Sequence, residues 1–434
     1  MRGTLWTLGS YGVSMALRFG SSLLLTRLLL PDVYGLMALV YVFLTGLYLF
    51  SDIGIGVSIV QNERGDDPAF VNTVWTIQII RGICLWVVSC LLAWPIATFY
   101  EKPQLIVLIP IMGLTAIIGG FDSTALATLS RHMALGKLAV FESGVQVTSM
   151  TVTIIWAYFN PSVWALVAGA LVSGLVHLVW GHRLDPTHTN RFAWDRDAVK
   201  SILSFGKWIF ITTALHFFTS QSDRIILGKL VSLEMLGIYG IAFTLADIPR
   251  QIILSLCNKV IFPSIAKLTH LPRETLRVKI LGKRKYVLIG LAVGLPLLIG
   301  FGDRVIFLLY KSNYHEAGWM MPIIALGLWH TTLYNTMSPA LLALGKSHYL
   351  PPGNVIALLT LTLGLPLAFS HWGMVGAMFV IAFYDLPIYA GTMYGLWREG
   401  LTSLGQDIAA TALFLGLLAS VLLVRYLLGL GLPI

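Results

Sequence analysis

The sequence predicts an all-α membrane protein of about 12–14 transmembrane helices, arranged as two six-helix bundles repeated in parallel. Three observations lead there. The first is composition: 57% of the 434 residues are hydrophobic, only 11% are charged, and the mean hydropathy is +0.81. A water-soluble domain carries roughly 25% charged residues, so most of this surface must face lipid. The second is texture. The apolar segments are apolar all round, whereas barrel strands alternate, and a helix satisfies its own backbone polar groups inside the bilayer. The third is an internal repeat at a constant offset of 202 residues.

A span needs about 20 residues to cross the hydrocarbon. Thirteen segments qualify: 5–29, 34–60, 71–99, 104–130, 138–159, 162–181, 201–230, 235–262, 284–310, 317–344, 351–371, 373–397 and 405–429. They group as an N-terminal bundle (1–182), a cytoplasmic linker (183–200), a C-terminal bundle (201–398) and an additional helix (399–434). Met1-Arg2 leads straight into the first span, and no short apolar core with a small-residue cleavage site is visible, so no signal peptide is expected. Cys84, Cys90 and Cys257 fall inside apolar segments and read as packing residues, not as a disulfide or a metal site.

Positive residues orient the chain. Even-numbered connections carry Arg64; Arg131 and Lys137; Arg183, Arg191, Arg196 and Lys200; Lys267, Arg273, Arg277, Lys279, Lys283, Arg284 and Lys285; Lys346; and Arg398. The alternate ones carry Arg27, Lys102, Lys229, Arg304 and Lys311. The richer side, and with it the N-terminus, is expected to be cytoplasmic. This bias accounts for most of the +9 net charge without a nucleic-acid footprint. Both long connections, 182–200 and 263–283, lie on that side, while the other face has tight turns such as "FNPS" and "SHWG". There is no P-loop, soluble domain or long outer loop, which argues against an ATP-driven pump and against a membrane glycosyl polymerase or ligase.

The repeat pairs "LTRLLLPDVYGLMAL" (25–39) with "LGKLVSLEMLGIYGI" (227–241): Leu25 matches Leu227, Arg27 Lys229, Asp32 Glu234 and Gly35 Gly237. Its flanks agree. On the first span Thr7, Ser10, Ser14, Arg18 and Ser21 form one helical stripe, and the same register on the seventh gives Thr212, His216, Ser220 and Asp223. On the following spans Thr45 and Tyr48 match Asp247 and Arg250. Six spans separate the copies, so both halves enter the membrane in the same direction. Such parallel repeats are typical of transporters with a site between the halves. Small polar residues also help helices pack, but that explains Arg18 and Asp223 poorly, because an ionisable group in the membrane needs water or a partner.

"LLLTRLLLPDVYGLMAL" after the first span, with "SQSDRIILGKLVSLEMLGIYGIA" (220–242), resembles the polysaccharide exporters of the multidrug/oligosaccharidyl-lipid/polysaccharide exporter superfamily, from near the N-terminus through about the twelfth span. The resemblance implies two bundles forming a V around a central cavity, and alternating access. It also implies an undecaprenyl-diphosphate-linked sugar unit as substrate, moved from the inner to the outer leaflet of the bacterial inner membrane for O-antigen, exopolysaccharide or capsule assembly. Members commonly have twelve or fourteen spans, against thirteen here. Membrane lipids and a polysaccharide polymerase or export machinery are the candidate partners. No enzyme activity, metal or organic cofactor is expected.

An anionic diphosphate calls for guanidinium donors in a watery cavity. Arg18, Arg81, Arg224 and Arg250 lie well inside spans, with Ser14 and His216 on the stripes beside them. Arg224 has the alternative of a structural ion pair with Asp223, and Asp247 and Arg250, three apart on one helix, can pair directly. Arg18 has no acid within a turn of its own helix and is the strongest candidate. Asp52, Asp122, Asp223, Asp247 and Asp385 are candidates for coupling to an H+ or Na+ gradient. Glu142 reads as a solvated cap, and His182 and His188 as solvated loop residues. Pro249, Pro296, Pro366 and Pro387 are candidate hinges or plain packing kinks. The basic 270–286 stretch reads as a surface segment on the anionic inner leaflet, or as a plain positive-inside loop. A drug or organic-cation antiporter of the same fold is the competing function. It would favour acids and aromatics in its cavity, whereas the first stripe carries Arg18.

Overall fold

The computed structural model describes residues 2–51, 54–185 and 189–433, and the side chains of all of these except 2–11, 57, 135, 203–212 and 216. Among the described residues there is no strand. The chain forms two compact units, 1–236 and 237–434.

The first unit contains α1 (Arg2–Leu28), α2 (Pro31–Phe50), α3 (Ile55–Gln61), α4 (Pro68–Tyr100), α5 (Leu105–Gly120), α6 (Ala125–Arg131), α7 (Leu135–Phe159), α8 (Val163–Arg183), α9 (Arg196–Leu230) and the start of α10 (Leu233–Leu256). The second contains the rest of α10, then α11 (Phe262–Ala266), α12 (Arg273–Leu309), α13 (Ala317–Asn335), α14 (Ser338–Ala343), α15 (Leu350–Phe383), α16 (Leu386–Arg398) and α17 (Leu404–Leu427). Among the described residues eight helices are long and apolar enough to cross a membrane, or nine with the bent pair α5–α6. One of the eight, the 52-residue stretch Ser347–Arg398, is a hairpin. It reverses at Gly373, whose φ of 59° suits a residue without a Cβ, and its arms touch at Gly364–Val380 and Gly353–Ile388.

Each segment read as a span is helical, but five are interrupted, the twelfth among them, between α15 and α16 at Tyr384-Asp385. The second breaks between α2 and α3, where Gly54 adopts φ 70°. The fourth bends by 60° between α5 and α6. The eighth passes through a π-helical turn, Cys257–Ile261, ahead of Pro263. The tenth breaks at Thr336-Met337. Uniform hydropathy conceals such breaks because the chain stays apolar across them. The basic 270–286 stretch is also not a separate surface segment: it forms the first turns of α12, whose 37 residues extend about 55 Å, well beyond the ~30 Å hydrocarbon.

The two copies of the repeat meet inside the first unit. A Cβ built on Gly35 would lie 1.9 Å from the Leu233 carbonyl oxygen, and one on Gly228 2.4 Å from Leu39. Glycine thus lets the α2 backbone lie directly against the turn that follows α9. The 191–195 part of the connection to α9 is docked on α4. Its backbone donates from Arg191 to Asn72 (2.9 Å), Ala193 to Thr76 (3.1 Å) and Asp195 to Thr73 (3.0 Å), along one polar edge of α4.

Asp67 and Asp195 cap α4 and α9, and Arg64 Nη2 reaches a carboxylate oxygen of each at 2.6 Å. The hydrogen bonds from Arg64 hold both carboxyls below the usual carboxylate range. Groups lowered in the folded state stabilise above their unfolded value, ~3.9, and lose that contribution as the pH falls below it. A spin label at Ala193, with the native cysteines replaced, is therefore expected to be immobile at neutral pH and mobile in strong acid. Arg64→Ala should make it mobile at neutral pH; a label that stays immobile there removes this link from the docking of the connection.

In the second unit α17 is fastened to α12 by two buried ion pairs. Arg425 grips Asp303 with both Nη atoms at 2.6 Å, and Arg284 Nη1 lies 2.5 Å from Asp407. Arg284, which was counted above among loop charges, is 3% exposed.

Candidate functional site

Each unit holds a constellation of polar side chains within its helices. In the first unit a cavity of about 380 Å³ is lined by Tyr48, Gln78, Arg81, Thr115, Asp122 and His177, among others. It opens where α4 and α5 approach closely: a Cβ on Gly82 would fall 2.4 Å from the Ala116 carbonyl oxygen. Arg81 donates from Nε to Ser51 Oγ and from Nη2 to the Tyr48 carbonyl oxygen, both at 2.9 Å. It thus braces the C-terminal end of α2 as well as lining the cavity. Gln78 donates to the Gly119 carbonyl oxygen (2.8 Å) at the α5–α6 bend, where that oxygen also accepts from the Asp122 backbone N–H (3.2 Å). Asp122 Oδ2 lies 3.0 Å from His177 Nδ1, while its Oδ1 is buried without a hydrogen-bond partner.

In the second unit the constellation gathers at Asp385, in the break between α15 and α16, beside Pro387. Asp385 is 3% exposed. Its Oδ1 meets His330 Nε2 in a short contact, and its Oδ2 accepts from Thr331 Oγ1 (2.9 Å) and the Tyr334 hydroxyl (3.0 Å). Three side chains of α13 thus converge on one carboxylate. Phe383 stacks on the His330 ring at 5.6 Å. Arg250 lies within electrostatic range of Asp385, Tyr334 and Tyr384. It also pairs with Asp247 at 2.6 Å, and Gln251 donates to the other Asp247 oxygen at 3.0 Å. Burial makes each bond strong and each missing partner costly.

The remaining sequence candidates fall as follows. Arg18 is exposed on α1 and, among the described residues, has no ion-pair partner; half-buried Ser14 accepts from Gln146 through its backbone oxygen at 3.1 Å. Asp223 is buried, and Arg224 donates to Gln221 Oε1 at 3.2 Å. Asp52 and His188 lie outside the described residues, as does the side chain of His216. Besides His216 on its polar stripe, two histidines sit in polar groups inside the helices: His177, half-buried, and His330, buried. Spacing could have flagged them. Ser173 and His177, and His330 and Tyr334, are each four apart, on one helical face.

Polar faces turned inward, helices broken at Gly and Pro, and charges held inside apolar bundles define a multi-pass membrane transport protein. Its fold matches the lipid II flippase MurJ in an inward closed conformation, with a TM-score of 0.75 at 14% identity over 95% of this chain and 92% of that one. It also matches an inward-facing multidrug-resistance transporter of the MOP superfamily, with a TM-score of 0.65 at 14% identity over 90% and 94%. Residues 24–317 match the polysaccharide biosynthesis protein family, and the chain belongs to it. Among curated relatives it is 23% identical to the succinoglycan biosynthesis transport protein ExoT of Rhizobium meliloti, over 98% of this chain and 85% of that protein. It is 24% identical to the teichuronic acid biosynthesis protein TuaB of Bacillus subtilis, over 68% and 61%. It is 22% identical to the lipopolysaccharide biosynthesis protein WzxC of Escherichia coli, over 64% and 56%. The chain is thus an exporter-fold membrane protein of polysaccharide biosynthesis, with transporters and flippases as its neighbours.

Proposed function

We propose that this protein flips an undecaprenyl-diphosphate-linked oligosaccharide from the inner to the outer leaflet of a bacterial inner membrane, by alternating access, for surface polysaccharide assembly. Family membership supports the pathway and the fold supports a flippase. The observation that carries the substrate class is Arg18: a guanidinium inside a span, exposed on α1 and without an ion-pair partner among the described residues. Such a group needs water or an anion, and a diphosphate offers two oxygens to its planar fork. The positive-rich connections support an N-terminus in the cytoplasm. Removing the buried Arg284 from that side of the count leaves the bias intact.

Deletion in the native host should accumulate lipid-linked sugar on the inner leaflet and deplete surface polysaccharide. Wild type is expected to restore both and Arg18→Ala to restore neither, with Arg18→Lys partial because it keeps the charge but loses the fork. Unchanged surface polysaccharide with accumulation of cationic drugs would instead establish the antiporter alternative.

A further inference from the structure

At the positive-rich end of the first unit a groove of about 450 Å³ opens between α4, the end of α5 and α8. Trp75, Phe121, Leu178 and Val179 make its apolar walls, and His182 and Arg183 join them from the last turn of α8. The docked connection lies along it. Asn190 accepts from Ser123 Oγ at 3.0 Å, and the Phe192 ring sits 5.1 Å from that of Trp75. Although their neighbours are tied to α4, Phe192 and Trp194 remain 69% and 58% exposed. Large exposed aromatic rings beside an apolar groove mark an interaction surface, and such rings are favoured where lipid headgroups meet hydrocarbon. The groove therefore lies at headgroup depth.

Its cations are uncommitted. Arg183 and Arg191 are exposed and have no ion-pair partner among the described residues. The connection's own acids do not supply one: Asp195 caps α9 and pairs with Arg64, and Asp185 and Asp197 pair with neither arginine. His182 donates from Nδ1 to the Leu178 carbonyl oxygen at 2.9 Å, which leaves Nε2 unbonded among the described residues. Arg64 and Arg131 differ. Arg64 is taken up by Asp67 and Asp195, and Arg131 by Asp66 and the Ile59, Val60 and Asn62 carbonyl oxygens. A soluble anion would use the free arginines but not the groove, and a neutral chain the groove but not the arginines. A phosphate carried on an acyl chain uses both, as lipids do at basic pockets between membrane helices.

We propose that this groove binds an anionic glycerophospholipid of the surrounding leaflet, with one acyl chain along Trp75, Phe121, Leu178 and Val179 and the phosphate held by Arg183 and Arg191. Bound there, the lipid ties the end of α8 to the connection that leads into α9, and because it binds the folded chain it stabilises that arrangement. The site lies within the first unit and shares no residue with the Arg18 assignment, so nothing in it depends on the flippase reading.

Native mass spectrometry of the full-length chain in detergent, titrated with dioleoylphosphatidylglycerol, tests this. One lipid is expected to bind ahead of the rest. Arg183→Gln/Arg191→Gln should weaken it about 30-fold, the effect of two cations near a headgroup. Val179→Trp fills the groove and keeps both arginines; it should weaken binding about tenfold, as loss of roughly two buried methylenes would. Lys279→Gln/Lys283→Gln removes two exposed charges from another positive-rich segment and should bind as wild type does. The assignment is overturned if either groove variant binds like wild type, if the lysine variant is weakened equally, or if dioleoylphosphatidylcholine binds as well. Displacement by glycerol 3-phosphate would instead make this a soluble-anion site. Displacement by undecaprenyl phosphate at lower concentrations than phosphatidylglycerol would give the site to a polyprenyl carrier, and either result also overturns the assignment.

Discussion

Arg284→Met is expected to lower the unfolding free energy of the purified protein by about 3–5 kcal/mol, the usual cost of removing one partner of a buried ion pair. Arg284 donates to Thr336 Oγ1 (2.8 Å), the Leu333 carbonyl oxygen (2.9 Å), Gln406 Oε1 (3.0 Å) and Asp407 (2.5 Å), so α12, α13 and α17 share one guanidinium. Truncation would leave Asp407, 2% exposed, with only the Tyr389 and Ser403 hydroxyls. The double variant Arg284→Met/Asp407→Leu removes both charges and should recover most of the loss, since apolar replacement of a whole buried pair is often neutral or stabilising. Denaturant unfolding in detergent measures both. A double variant as unstable as the single one would show that the polar bonds, not the unpaired charge, hold the three helices.

Gly327→Ala is expected to be severe for a single methyl. Its Cβ would fall 1.9 Å from the Ala382 carbonyl oxygen and 2.8 Å from the Ala382 Cα. Backbone cannot rotate aside as a side chain can, so α13 and the second arm of the hairpin must separate. Overpacking of this kind costs about 1–3 kcal/mol or more. The same separation would pull His330 and Thr331, one turn along α13, away from Asp385. Gly240→Ala is the control: it is helical, a Cβ there meets nothing within 4 Å, and alanine is the better helix former by about 1 kcal/mol. Equal thermal stability of Gly327→Ala and Gly240→Ala would contradict this packing.

Much of this architecture was legible in the sequence because lipid is a simple solvent. A residue facing hydrocarbon must be apolar whatever its neighbours, so the spans and the helical class follow from composition alone. The repeat was legible for a similar reason: Gly35 and the residues around Leu233 answer to one local packing demand, and the structure brings them together. The Asp247–Arg250 pair could be foreseen because helix geometry places residues three apart on one face. The partners of Asp385 could not. His330 is 55 residues away from it, and only the crossing of α13 with the hairpin makes them neighbours. Arg284 was misplaced for the same reason. Counted by position it belongs to a basic loop, but α12 runs on past the bilayer core and α17 carries Asp407 to meet it.

The sequence by itself determined a many-span, all-helical membrane protein with a repeated half and charges that need a purpose, because each of these is dictated by local chemistry against lipid. Tertiary structure alone decided which of those charges pair across helices, as Arg284 with Asp407 and Arg425 with Asp303 do. Charge compensation depends on distances between helices far apart in the chain, and no spacing along the chain encodes them.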